Sequence, residues 1–193
     1  MKAWCGSFMV LLLACMSVQA DQSRYDVETG YVEYESVSTL KVGGQEIRNT
    51  SQTKVLFSDW GAIEIQEKTT DHGGMVDTEL SKQDGEIYYS VDFDRQVIVK
   101  ATLQEMGLAS DDTGQPVNPK SSKAGTETIL GYPCYRVEAE GIQSWYYRGV
   151  MLKQRIKTDV MTVETLAKKA VFEDLVDASV LAFPDYPIVG LYE

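Results

Sequence analysis

The chain has 193 residues, of which 44% are hydrophobic, and its 29 acidic against 18 basic side chains give a formal net charge of −11. A chain of this length can bury a sizeable core without disulfides and fits one domain. The acidity argues against nucleic acid and against charge-driven docking on anionic headgroups, which leaves basic or apolar partners.

Residues 1–20 read as a secretory leader. Lys2 supplies the positive start, Phe8–Ala14 is an unbroken apolar run, and Val18-Gln19-Ala20 offers small residues before Asp21. The run is too short to span a bilayer, which takes about 20 apolar residues. An alternative reading takes Leu12-Leu13-Ala14-Cys15 as a lipobox, with Cys15 lipidated and the protein membrane-anchored. The organisation expected is therefore a leader at 1–20 and one β-rich domain at 21–193, exported to the periplasm. Loss of the leader removes Cys5 and Cys15 and leaves Cys134 as the sole cysteine, so no intramolecular disulfide can form.

Beyond Asp21 the pattern is short alternating runs, rich in aromatic and β-branched residues and broken by glycine. Tyr25–Leu40 predicts a strand, Val42-Gly43-Gly44-Gln45 a turn and Gln45–Phe57 the returning strand. Ser58–Gly61 is a tight break, and strands follow at Ala62–Thr69 and Met75–Lys82 around the turn Asp71–Gly74. Asp84-Gly85 is a hairpin signal before Glu86–Asp92, and Gln96–Ala101 is a short apolar strand. Thr102-Leu103-Gln104-Glu105 matches a capping box, which predicts a one- or two-turn helix using Leu103, Met106 and Leu108 or Ala109. Residues 110–124 read as a polar loop.

Residues 125–148 predict one β-hairpin, with strands at Cys134–Ala139 and Ile142–Tyr147 and Trp145 and Tyr147 on alternate positions. Val150–Thr158 and Met161–Glu173 continue as strands. Asp174–Val180 suggests a short helix, and Tyr186–Val189 is extended. The tally is eight to eleven strands in a meander, a sheet that must curl to hide its apolar face and its edges. The fold class is mainly β: a curved antiparallel sheet or unclosed half-barrel with one or two short helices.

No catalytic set emerges. His72 is the only histidine and lies in a glycine-rich turn, which leaves no Ser-His-Asp triad. Asp92 and Asp94 fall on one face of a strand, a spacing that suits calcium, but no twelve-residue calcium loop surrounds them. Asp111-Asp112 reads as solubilising, and Asp174 and Asp177 form no promoted pair. Cys134 fits a small packed hydrophobe better than a reactive thiol, because no second cysteine or histidine is near it in sequence. Neither a metal nor a cofactor is expected. The aromatics stand out: Tyr34, Trp60, Tyr88, Tyr89, Phe93, Trp145, Tyr146 and Tyr147 are either sheet packing or the lining of a concave apolar pocket. Trp60, Tyr88, Trp145 and Tyr147 are the ligand-contact candidates.

The run Gly125-Thr126-Glu127-Thr128-Ile129-Leu130-Gly131-Tyr132-Pro133-Cys134, followed by Trp145 and Gly149, resembles small secreted bacterial proteins whose layout is similar to LolA/LolB-type periplasmic lipoprotein carriers. The break at Asp59-Trp60-Gly61 and the Gly85-x-x-Tyr88 strand fit the same pattern. The resemblance implies an unclosed antiparallel barrel whose concave side holds an acyl chain under helices, although helices are scarce here. The functional expectation is a non-enzymatic envelope protein binding an apolar ligand, such as a lipid or lipoprotein acyl chain. The alternative is an envelope interaction or structural module with a filled core, partnered by another envelope protein.

Overall fold

The computed structural model describes residues 23–107, 123–174 and 181–192. The expected leader and Cys15, Leu108 and Ala109, the pair Asp111-Asp112, Asp177 and the helix expected after Asp174 lie outside the described residues.

Twelve described strands make one sheet: β1 Gly30–Val42, β2 Gln45–Ser58, β3 Ile63–Asp71, β4 Val76–Asp84, β5 Ile87–Asp92, β6 Val97–Thr102, β7 Lys123–Ile129, β8 Tyr132–Ala139, β9 Ile142–Tyr147, β10 Val150–Lys157, β11 Met161–Phe172 and β12 Ile188–Gly190. Their order is β12-β6-β5-β4-β3-β2-β1-β11-β10-β9-β8-β7, and the two terminal strands of that order do not pair. The sheet is unclosed, as expected. Two antiparallel meanders, β1–β6 and β7–β11, are joined where β1 pairs with β11, and only β12 runs parallel, beside β6. The β1–β2 hairpin turns through Gly43 and Gly44, both left-handed, between the paired residues Val42 and Gln45.

Three expectations need correcting. The segment around residue 127 is not a lead-in to a hairpin but the separate edge strand β7, so the stretch is a three-stranded meander. The capping box forms, with Thr102 N–H donating to Glu105 at 2.7 Å and Glu105 N–H to Thr102 Oγ1 at 3.1 Å. It closes a turn rather than a helix, because left-handed Gly107 already ends the chain's coiling with its N–H on Gln104 O at 3.0 Å. Asp92 ends β5 and accepts the Arg95 N–H at 2.8 Å, so Asp92 and Asp94 belong to a turn and not to one strand face.

Packing divides into two clusters. The larger joins Val27, Val32, Val55, Phe57, Ile129, Cys134, Trp145, Val150, Leu152 and Ala167, with Tyr132, Tyr147 and Phe172 against it. Phe57 and Phe172 fill the space above Gly30, where an added Cβ would lie 2.5 Å from the Phe57 ring and 2.8 Å from that of Phe172. The smaller cluster sets Leu80, Val91 and Ile98 under Phe183 and Tyr186 of the C-terminal segment. Cys134 is fully buried, its thiol contacts Tyr132 O at 3.5 Å, and burial pushes its pKa up.

Gly30→Ala should lower stability by about 1–3 kcal/mol, measured by denaturant unfolding, because two rings must move from their packed rotamers. Burial and the raised pKa both suppress the Cys134 thiolate. Peptide mapping after maleimide treatment between pH 7 and 8.5 should therefore find Cys134 unmodified in the folded chain and labelled once denaturant is added.

Candidate functional site

A cavity of about 390 Å³ is lined by Tyr34 on β1, Thr53 and Val55 on β2, Glu64 and Gln66 on β3, Tyr146 on β9, Met151 and Gln154 on β10 and Thr165 on β11, with Arg24, Tyr25 and Gly149 at one end. Pairing places the lining on one face: Tyr34 opposes Thr53, Val55 opposes Gln66, Gln154 opposes Thr165 and Met151 opposes Tyr146. In a flat sheet β3 and β9 would stand five strand spacings apart, about 24 Å. Residues from both line one small cavity, so the sheet curls around it and this is its concave face.

The curl is held from inside. Tyr34 faces Ala167 on the neighbouring strand β11. An alanine leaves room for the ring to pass over β11 and donate its hydroxyl to Met151 O on β10, at 2.7 Å. Met151 lies where the β9–β10 register shifts, as at a bulge, which bends a strand locally. Burial pushes the Tyr34 hydroxyl far above its ordinary pKa, so it stays a donor at any physiological pH.

One end of the cavity is closed by residues 24–28, which cross from the β2–β3 connection to the β9–β10 turn. Tyr25 N–H donates to Trp60 O at 3.0 Å, Asp26 N–H to Arg148 O at 2.9 Å and Trp60 N–H to Glu28 O at 3.0 Å. Two glycines admit this strap. A Cβ on Gly61 would meet the Tyr25 ring at 2.7 Å, and one on Gly149 would meet Arg24 O at 3.2 Å; both glycines are also left-handed. Beneath the strap the Glu64 carboxylate, 13% exposed, accepts the Tyr25 hydroxyl at 2.7 Å and pairs with Arg24 at 3.2 Å. Burial, then the Glu64 charge, pushes the Tyr25 hydroxyl above its ordinary range.

The cavity therefore has a polar, strapped end and a middle of tyrosine rings, Val55 and Met151. Ser36 and Thr165 hydroxyls bond each other at 2.8 Å, and Gln154 donates to Ser144 at 3.1 Å. Each of those side chains already has one partner in the sheet, and Gln154 keeps further donor and acceptor capacity for a ligand. Among the described residues no three His, Cys, Asp or Glu side chains converge as a metal site would require.

None of Trp60, Tyr88, Trp145 and Tyr147 is among these lining residues. Trp145 is 4% exposed, paired with Lys153 on the face opposite Tyr146, with the Lys153 ammonium 4.4 Å from its ring centre. Tyr147 packs on Tyr132 and Phe172. Trp60 stands 43% exposed in the 3₁₀ break, in a left-handed conformation fixed by the strap. Tyr88 opposes Gln83, which opposes Glu64, so it shares the concave face two strands beyond the cavity. Of the wider aromatic set, Tyr34 and Tyr146 do line it. Arg24, Tyr25, Glu64 and Met151 carried no sequence signal, although alternation along β9 separates Tyr146 from Trp145. His72 lies exposed in the β3–β4 turn.

No protein-family model matches the sequence, and no curated protein matches it in a sequence search. Several solved structures superpose on the chain at low identity. An uncharacterized conserved protein from Thermus thermophilus superposes with a TM-score of 0.49 at 7% identity, over 82% of this chain and 90% of that one. A domain described as an outer membrane lipoprotein-sorting protein, from Vibrio parahaemolyticus, gives 0.36 at 11% identity over 80% and 89%. LprF from Mycobacterium bovis gives 0.36 at 12% identity over 79% and 89%.

Proposed function

We propose that this chain is a non-enzymatic envelope protein that binds an amphipathic ligand, such as a lipid or a lipoprotein acyl chain, in the concave face of its sheet. The observation that carries the reading is the cavity itself. Six neighbouring strands curl around about 390 Å³ of space whose lining sets Tyr34, Tyr146, Val55 and Met151 among polar residues such as Thr53, Gln66 and Gln154. Its volume lies in the range of small-molecule sites. An acyl segment would lie against these apolar surfaces, and a polar group would meet Arg24, Tyr25 and Glu64 at the strapped end. Export through the leader at residues 1–20 belongs to the same proposal.

Thr53→Phe tests it. Thr53 lines the cavity on β2, and phenylalanine suits a strand, so the added ring should occupy ligand space while the sheet stays folded. Binding of a fluorescent fatty acid should weaken by about tenfold, or about 1.4 kcal/mol. Trp145→Ala should do the reverse, lowering stability by about 3–5 kcal/mol through a buried void, with little change in affinity of the molecules that remain folded. No fatty-acid binding by the parent chain, with no lipid in native mass spectrometry of the exported protein, would sink the carrier reading in favour of the interaction module.

A further inference from the structure

The end of the sheet opposite the strap carries the turns β1–β2, β3–β4, β8–β9 and β10–β11. Large apolar side chains gather there. Met75 is 75% exposed, Val76 66%, Val160 56% and Ile47 48%, joined by Leu40 and Ile142. They lie on adjoining elements: Leu40 opposes Ile47 across the hairpin, and Lys41 N–H donates to Val160 O at 2.8 Å. Leu40 and Ile142 fall in register on the concave face, the first on β1 with Tyr34 and the second on β9 with Tyr146. We propose that this apolar rim docks on a lipid surface of no net charge, with the concave face opening toward it.

Three features select that occupant. Some charges beside the rim are paired across strands, Lys41 with Glu46 at 3.6 Å, Arg155 with Glu164 at 2.7 Å and Lys68 with Glu79 at 3.3 Å. Of the others in or beside these turns, Arg48 and Lys157 are outnumbered by Asp71, Asp77, Glu140 and Asp159. The rim, like the whole chain, therefore leans acidic, which disfavours an anionic surface and leaves a zwitterionic one. The turns also close their own backbone bonds. His72 N–H reaches Met75 O at 2.9 Å, Gly74 N–H reaches Asp71 at 2.6 Å, Thr158 N–H reaches Met161 O at 2.8 Å and Lys157 N–H reaches Gly141 O at 2.7 Å. Such turns bring fewer free peptide groups to a lipid interface than open loops would. Finally, the residues sit on separate turn tips around an opening, and a fluid surface can receive each tip independently. The rim is independent of what the cavity holds.

The test uses the full chain, labelled at isoleucine δ1 methyls, with phosphatidylcholine vesicles that carry a gadolinium-chelating lipid. Ile47 and Ile142 signals should broaden, whereas those of Ile63 and Ile87, which start strands at the strapped end, should persist. The pattern should survive higher salt. The double substitution Met75→Asp with Val160→Asp, at exposed turns, should leave the unfolding transition in place and reduce vesicle co-flotation by about tenfold. Equal or stronger broadening at Ile63 and Ile87 would overturn the proposal, as would an undiminished variant or a chain that does not float. Sedimentation as a dimer that the same double substitution dissociates would assign the rim to a second copy and overturn it too.

Discussion

A chord across an arc fixes this fold. A long antiparallel sheet twists by itself, but its curvature stays loose unless distant strands are tied to one another. Residues 24–28 make that tie, hydrogen-bonding to Trp60 on one side and to Arg148 on the other. The same segment places the Tyr25 ring 4.5 Å from that of Phe57. Gly61 and Gly149 are the contact points, and larger residues there would hold the chord away from both rims. Tyr34 adds a second tie deeper in, across β11. Between them these ties leave a space that side chains do not fill.

Charge pairing works along the sheet as the chord works across it. Lys54 and Glu67, Lys68 and Glu79, Arg155 and Glu164, and Glu33 and Lys169 are each direct cross-strand partners. Exposed pairs of this kind contribute little stability singly. Their use is positional, because a strand that slips by one residue would set these charges against the wrong neighbours and turn its apolar set outward. An acidic chain can thus keep a long sheet in register while most of its cations are already engaged.

Much of the layout was legible in the sequence because strand alternation and glycine turns are local signals. Val42–Gln45, Asp71–Gly74 and the run around Trp145 each announce themselves within a few residues. The strand β7 was hidden because Gly125 and its polar neighbours look like loop, and it pairs on one side only. The capping box at Thr102 is legible as chemistry, but left-handed Gly107 stops the helix it predicts at a turn. The cavity was far less legible. Its lining comes from six strands and a strap distant in sequence, and aromatic residues advertise themselves equally whether they fill a core, as Trp145 does, or face a cavity, as Tyr146 does. Only the register across β1 and β11 tells which rows share a face.

The pairing of β1 with β11 also bears on how the chain assembles. Each meander, β1–β6 and β7–β11, is built from hairpins that close over short loops, whereas the seam between them brings together residues such as Glu33 and Lys169, 136 positions apart. Loop closure over that span is the costliest entropic step, and non-local pairing of this kind slows folding. The cavity straddles the seam, with Tyr34 on one half and Met151 and Thr165 on the other. It therefore comes into being only when the halves have met, and a molecule lodged there would touch both, so that occupancy would stabilise the joined state.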